Sequence, residues 1–420
     1  MSFLKGDEVT SIFSKEKKPK RISSLFSGFK RLPREETLKL VSIEDDVILK
    51  RFPAGLDFGA TAIKLAQLGQ SANGLQVVDL AIQELPLELS NSPKERKKAL
   101  PEILKKMVRE YKIKGPVVSA MPSSQVQMKI IKLPPMPLEE VMQAVKWEIQ
   151  QTTTANIEEL SFDYYLLTDE NAITKDTPLD VLVISCLKKD VLELISLIQS
   201  ADLACVAVET NPLAVVSALI QNSQIKTGEV ALVLEFGGGS SSVNIIMNNK
   251  LYFSRELAVN GNYLTKAIEE HCQFSSQEAE NIKKVCGLAA SETLMTHVEN
   301  GTGAQHYDPG TERAIKVNEA LWLHLENLIQ EIDYTFKYFS YQVTQSTVSK
   351  FDKIILSGGS ANLTRFPDYL ATYLNTPVET ANPFKNISMH PDLRFKTDNL
   401  APLQPQFSVA IGLALRELSK

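Results

Sequence analysis

Cysteine is scarce. Cys186, Cys205, Cys272 and Cys286 are the only four in 420 residues, spaced 19, 67 and 14 apart with no Cys-x-x-Cys pair. That usage reads as reduced core thiols in the cytoplasm rather than a disulfide framework. Histidine is equally sparse: His271, His297, His306, His324 and His390 form no His-Glu-x-x-His or other zinc spacing, which removes metalloproteases and zinc modules. No Gly-x-Ser-x-Gly elbow and no Walker A sequence occur. No run approaches 18 consecutive apolar residues, so no transmembrane helix is expected. The first thirty residues lack the apolar stretch of a signal peptide. The net charge is only −5, too small to steer the whole molecule onto nucleic acid, and no nucleic-acid partner is expected.

What is present is ordinary globular material, 44% hydrophobic and 23% charged. At about 150 residues per domain the length suggests two or three lobes. Charge is unevenly placed. Residues 1–40 hold ten Lys/Arg against five Asp/Glu, so a basic arm precedes an acidic body. Within the arm, RISSLFSGFKRL (21–32) sets Ile22, Leu25, Phe26, Phe29 and Leu32 at helical spacing, flanked by Lys20, Arg21, Lys30 and Arg31. It reads either as a short interfacial helix for an anionic membrane surface or as a disordered basic arm.

From Gly55 the pattern becomes strands and tight turns: LDF, AIKLAQL and LQVVDLAIQEL form a three-stranded meander. An amphipathic helix over 92–112 follows, then the buried strand GPVVSAMP (115–122). Residues 124–206 read as a separate small α/β unit, with Trp147 assigned to its core by its spacing from Val141 and Ala144. The second half restarts with VALVLEFGGGSSSVNII (230–246) and KLYFSRELAV (250–259). A helical run from 262 to about 341 follows, broken by an exposed loop at 300–310. Then come KIILSGGSANLTRFPDYL (353–370) and a closing helix on which Gly412 and Ala414 permit close packing.

Three turns carry the chemistry: GLDFGATAIK (55–64), LEFGGGSSSVN (234–244) and LSGGSANL (356–363). The first two share one logic of apolar strand, carboxylate, Gly-rich hairpin, hydroxyl residues and apolar strand. Successive backbone N–H groups in such a turn point at phosphate oxygens, and glycine lets the phosphate approach. Asp57 or Glu235 can organise the waters of a Mg²⁺ ion, and Lys64 can reach a phosphate as a point charge. Each hairpin alone is weak. Their repetition 178 residues apart, each opening a three-stranded meander followed by helices, describes a duplicated α/β fold around a nucleotide cleft.

The chain resembles the actin-like ATPase superfamily, which includes FtsA, MreB and the nucleotide-binding domain of heat-shock chaperones. GLDFG is similar to its first phosphate motif, LEFGGGS to the second and LSGGSANL to the adenosine-side motif. The resemblance implies that Asp57, Gly59, Ala60, Thr61, Lys64, Glu235, Gly237, Gly238, Gly239, Ser240, Gly358, Gly359 and Ser360 border ATP, with Asp57 and Glu235 holding Mg²⁺ through water. AENIKKVCG (279–287) is similar to the helix that meets adenosine, which places Glu280 and Lys283 near the nucleoside.

SAMPSSQVQMKIIKLPPMPLEEVMQAVKWEIQQ, NGNYLTKAI and FSVAIGLALRE further resemble the PilM family of type IV pilus assembly proteins. The resemblance covers about residues 53–420. It implies a duplicated actin-like (ribonuclease-H-like) fold with two lobes and an inserted subdomain shared with FtsA. The arm occupies 1–50, the first core subdomain 51–123 and 207–227, and the inserted subdomain 124–206. The second core subdomain occupies 228–260 and 351–400, a mostly helical nucleotide-side subdomain 261–350, and a helix returning to the core 401–420. It also implies a scaffold at the inner face of the cytoplasmic membrane. There an apolar-lined groove beside the inserted subdomain would take the cytoplasmic segment of a PilN-like bitopic protein, among other platform proteins. The arm could touch the membrane, and homo-oligomers stay open.

Departures concentrate on catalysis. Glu235 stands where the superfamily usually has Asp, and Ala60 where Ser is common. ETNPLAVVSAL (209–219) resembles the Glu-Pro-x-Ala helix of MreB, but Asn211 precedes the proline and Glu209 lies two residues earlier. They are the two weak catalytic candidates, and slow or absent hydrolysis is expected. An FtsA-like or MreB-like filament protein and a small-molecule kinase of the same superfamily are the alternatives.

Overall fold

The computed structural model describes residues 48–153, 155–288, 309–345, 348–393, 395 and 399–416. The candidate membrane helix of the arm and residues 300–308 of the loop expected at 300–310 lie outside the described residues, and Pro309 and Gly310, expected in that loop, instead open a helix. Lys50–Arg51, at the end of the arm, forms strand β1 of the first sheet.

Two sheets repeat one topology. The first is built on Ala54–Phe58 (β2), Ala62–Ser71 (β3), Gly74–Glu84 (β4), Pro116–Met121 (β5) and Ala204–Thr210 (β9). Its order is β4-β3-β2-β5-β9, antiparallel through β4, β3 and β2 and parallel through β2, β5 and β9. Ser388–Met389 (β15) extends it beyond β4, and β1 pairs with β3. The second sheet uses Val230–Phe236 (β10), Ser241–Met247 (β11), Lys250–Leu257 (β12), Lys353–Ser357 (β13) and Val378–Thr380 (β14). Its order, β12-β11-β10-β13-β14, has the same sequence of antiparallel and parallel pairings. Strands such as VALVLEF and AIKLAQL are buried along nearly their whole length because both sheet faces are covered.

Two helices fill the space between the sheets: Asn211–Gln221 (α5) and Ser408–Leu415 (α10). Both are apolar around most of their circumference, as a helix buried on all sides must be. Their axes approach closely at Gly412, where an added Cβ would lie 1.8 Å from the Ala214 carbonyl oxygen. Leu213, Val216 and Leu219 of α5 share a core with Val233 of β10, Ile355 of β13 and Val118 of β5, so the two lobes are packed through one pair of helices.

The inserted unit is a three-stranded sheet, Gln127–Leu133 (β6), Leu160–Leu166 (β7) and Leu179–Leu187 (β8), in the order β6-β8-β7. Val141–Thr152 (α3) covers it with Val141, Val145 and Ile149. Trp147 is not core: it is 61% exposed. At about 100° per residue it points away from the 141/145/149 stripe. The elements at the end of 124–206 reach the first lobe. Helix Lys188–Gln199 (α4) buries Ile198 against Leu56, Leu104 and Met107 of the first lobe, where Leu87–Asn91 (α1) and Pro93–Tyr111 (α2) also lie. Strand β9 pairs with β5 in the first sheet, and α4 packs between that lobe and strands β7 and β8 of the inserted sheet.

Helices Gly261–Cys272 (α6), Ser276–Cys286 (α7), Pro309–Tyr338 (α8) and Phe366–Leu374 (α9) build the core of the second lobe against its sheet. Among the described residues no helix is long and apolar enough to cross a membrane.

Candidate functional site

The two glycine hairpins are closed the same way. Gly59 N–H donates to the Ala62 carbonyl and Gly237 N–H to the Ser240 carbonyl, each at 3.0 Å. Each hairpin sets its carboxylate opposite the residue seven positions on: Asp57 faces Lys64 across β2–β3, and Glu235 faces Ser242 across β10–β11. The hairpins meet across the cleft. A Cβ on Gly238 would fall 2.4 Å from Thr61 Cγ2, and one on Gly239 would fall 2.4 Å from the Ala60 Cβ. The third turn backs the second: the Ser360 hydroxyl donates to the Gly237 carbonyl at 3.4 Å, and Gly358, at φ +89°, lies against the Phe236 carbonyl. Gly359 lies beside Gln406.

Charges concentrate beneath the hairpins. Lys64 Nζ donates to Asp57 Oδ2 at 2.8 Å, and both residues are buried. Glu235 is pushed up to about 7, first by burial and then by the charge of Asp57, while Lys64 and the hydrogen-bonding side chains of Ser242 and Asn211 pull it down. Its Oε2 is sealed from solvent without a hydrogen-bond partner. Asn211, the first residue of α5, is thus brought to the carboxylates. Glu209 is turned elsewhere. Its Oε2 lies 3.6 Å from Arg416 Nε, and burial raises its pKa despite that cation.

Glu280 and Lys283 come together on α7, bound to each other and to α6. Lys283 Nζ donates to Glu280 Oε2 at 2.6 Å, to Thr265 Oγ1 at 2.7 Å and to the Gly261 carbonyl at 2.9 Å. Burial lowers the Lys283 pKa. Burial alone would raise Glu280, but Lys283, Thr265 and Lys284 bring it below the usual carboxylate range.

Several residues of the site went unmarked in the sequence. Asn262, in the NGNYL segment, takes the Gly238 carbonyl with its backbone N–H at 2.7 Å. Its Nδ2 reaches both the carbonyl and the hydroxyl of Ser90 in α1, each at 3.0 Å, latching the lobes together. Thr265 and Ser242 were also missed. Ser242 was legible in one respect, because Asp57 to Lys64 and Glu235 to Ser242 span the same seven positions.

A second feature lies at the inserted unit. A cavity of about 160 Å³ is lined by Ser123, Ser124, Val126 and Met128 beside β6, Ser254 and Glu256 of β12, and Pro212 of α5. Strands β6 and β12 are both sheet edges, and they flank this cavity. Three hydroxyls and a carboxylate make the lining mixed rather than apolar as expected from the sequence.

The repeated sheet topology, the buried helix pair and the two glycine hairpins meeting across a cleft define a two-lobed actin-like protein with an inserted subdomain. A family profile described as type IV pilus assembly protein PilM matches residues 55–295 and 317–418, and the chain belongs to that family. A solved structure titled PilM-PilN type IV pilus biogenesis complex superposes with a TM-score of 0.70 at 25% identity, covering 87% of this chain and 98% of that one. The cell division protein FtsA of Neisseria meningitidis serogroup B is 26% identical over 212 residues, 48% of this chain. That match spans only 45% of the FtsA protein. MreB5 of Spiroplasma citri, crystallised with AMPPNP, gives a TM-score of 0.44 at 12% identity over 88% of this chain and 97% of that one.

Proposed function

We propose that the protein is a cytoplasmic ATP-binding scaffold on the inner face of the cytoplasmic membrane. It would serve the platform of a type IV pilus or related secretion machine and hold the cytoplasmic N-terminal segment of a PilN-like membrane protein. The observation that carries this reading is the groove beside two sheet edges, in a chain similar over 87% of its length to a chain of the solved PilM-PilN complex. An extended segment entering the groove can pair with the edge of β6 or with that of β12 and gain main-chain hydrogen bonds, and side-chain pockets give it register. Other platform proteins, self-association and a membrane contact of the arm belong to the same proposal.

The residues present fit ATP and Mg²⁺. The hairpins around Gly59, Ala60, Thr61 and Gly237 to Ser240 offer backbone N–H groups, and bound Mg²⁺ supplies charge neutralisation at the phosphates. Glu235, with its unpartnered Oε2, and Asp57 would hold the metal through water. Gly358, Gly359, Ser360, Glu280 and Lys283 would border the nucleoside. Phosphates entering between the hairpins must part Gly238 from Thr61 and Gly239 from Ala60. Asn211 can accept a hydrogen bond from a water but cannot take its proton, and Glu209 is held by Arg416. Slow hydrolysis follows, since a positioned base typically contributes about 10²–10⁴-fold.

Ser124→Trp tests the groove. Ser124 is exposed at its rim, so an indole there fills the cavity without disturbing the core. The expected result is at least a tenfold loss in affinity for a peptide of the PilN-like N-terminal segment, on the order of 1.4 kcal/mol, with an unchanged melting temperature. Undiminished binding would place the segment elsewhere.

A further inference from the structure

Between the inserted sheet and the first lobe lies a second, smaller cavity of about 20 Å³. Ser161 and Asp163 of β7 line it from the inserted sheet, and Glu209 and Thr210 of β9 line it from the lobe. Leu160, Phe162 and Tyr164 turn toward the core under α3. On the two-residue period of a strand, Ser161 and Asp163 turn to the opposite face. The cavity adjoins the groove described above, because Val126 lines both.

Its polar atoms are unevenly satisfied. Ser161 is 3% exposed and Thr210 4%, yet neither hydroxyl has a hydrogen-bond partner. Thr210 is the more telling of the two. It stands at the N-cap of α5, where a threonine ordinarily accepts from the first turn of its helix, and it makes no such bond. Asp163 Oδ1 accepts from the Tyr164 N–H at 2.8 Å, while its Oδ2 makes no hydrogen bond among the described residues. Glu209 is already engaged: Oε1 accepts from the Thr210 N–H at 3.2 Å and Oε2 lies 3.6 Å from Arg416 Nε. Three acceptors therefore stay open, and buried acceptors left unpaired are costly.

Charge narrows what could fill the space. Two carboxylates line the cavity, and among the described residues no Lys or Arg does. Burial pushes Asp163 up to about 8, against the pull of the Tyr164 N–H and of Arg416 and with the charge of Glu209 adding to the rise. Cys186, the cross-strand partner of Ser161, is raised to about 11 by burial and brings no charge of its own. A cavity of this size takes one water-sized group. A water would satisfy the hydroxyls but not the carboxylates. A divalent metal wants about six oxygens or more, and among the described residues no cluster of three or more His, Cys, Asp or Glu is placed to hold one. A primary ammonium brings a positive charge and three N–H donors in about the volume of a water, one donor for each open acceptor.

We propose that this cavity is a receptor for a primary ammonium group. Two sources supply that chemistry: the amino terminus of a segment seated in the adjoining groove, and a free alkylamine. The first rests on the groove reading given above and deepens it, whereas the second stands without it.

The test uses the full chain and two probes. One is a peptide of the PilN-like N-terminal segment, made with a free and with an acetylated amino terminus. The other is methylammonium, followed by saturation transfer to its methyl protons, beside tetramethylammonium at the same concentration. Acetylation is expected to lower peptide affinity by about tenfold or more, the scale of one charge-assisted hydrogen bond. Methylammonium should receive saturation, and tetramethylammonium, too large for the cavity, should not. Asp163→Asn with Thr210→Val removes the charge and one acceptor at nearly constant size, and should cut the effect of acetylation to below about twofold and abolish the methylammonium signal. Thr210→Val alone, which leaves both carboxylates in place, should weaken both effects part-way. Discrimination between the peptides without a methylammonium signal assigns the site to the segment. A methylammonium signal with peptides that bind alike assigns it to a free amine, and the same signal with no peptide binding rejects the groove reading while keeping the site. No methylammonium signal, with peptides that bind alike or not at all, leaves a cavity for water only and overturns the proposal. Effects that survive in the double variant overturn it equally.

Discussion

Gly412→Ala is expected to destabilise the protein by roughly 3 kcal/mol or more, the upper end of what overpacking does. Helix propensity alone predicts the opposite sign, because alanine is favoured over glycine in a helix interior by about 1 kcal/mol. The contact decides. The new methyl would lie 1.8 Å from the Ala214 oxygen, 2.4 Å from its carbonyl carbon and 2.9 Å from its Cα, all backbone atoms of α5 that cannot rotate aside. Helices α5 and α10 must separate, and they are the pair through which both sheets are packed. Urea unfolding of the two proteins at one pH reads the difference. A midpoint within 0.5 M of the parent, about 1 kcal/mol at typical slopes, would show that the helices do not approach this closely.

Lys64→Met should be as damaging, with a pH signature. Lys64 is the cation between two carboxylates, Asp57 at 2.8 Å and Glu235, whose pKa it holds down. Removing one partner of a buried ion pair destabilises by about 3–5 kcal/mol because the remaining charge has no compensation. The folded-state pKa of Glu235 is already raised, to about 7. A group raised in this way contributes stability that is fully present below its unfolded pKa and lost as pH rises through the folded value. Without Lys64 the folded value rises further, so the loss caused by the substitution should be larger at pH 8 than at pH 5. Adding Glu235→Gln should recover part of the stability and flatten most of that difference. A loss independent of pH, or no rescue by Glu235→Gln, would contradict the charge arrangement.

The duplicated fold was legible because its signal is local and repeated. A carboxylate, a glycine hairpin and a second apolar strand recur after 178 residues, and the strand pairings follow from meanders that any short turn imposes. The extent of the inserted unit was less so. The helix after β8 reads the same whichever sheet it joins, and only the structure shows Ile198 buried against Leu56 and β9 paired with β5. Trp147 misled because its spacing of three from Ala144 suggests a shared face, whereas the buried stripe of the helix runs through Val141, Val145 and Ile149 on the opposite side. Asn262 with Ser90, 172 residues apart, and Lys250 with the 166–168 carbonyls were invisible, since no pattern along the chain marks a long-range hydrogen bond. Lys64 was expected to reach toward a phosphate. Its ammonium is bonded to Asp57 and would lie 3.1 Å from a Cβ on Gly59, at the base of the first hairpin.

The most direct test of the central claim is a single-turnover experiment with protein in excess over labelled ATP–Mg²⁺, in which bound nucleotide and released phosphate are read from the same samples. A nucleotide-binding scaffold predicts that ATP is retained while phosphate release runs well below about 1 s⁻¹, the lower edge of typical enzyme turnover. Retention should be lost in Gly238→Val, whose side chain occupies the space between the hairpins. ATP that is not retained, or phosphate released at about 1 s⁻¹ or faster, would contradict it.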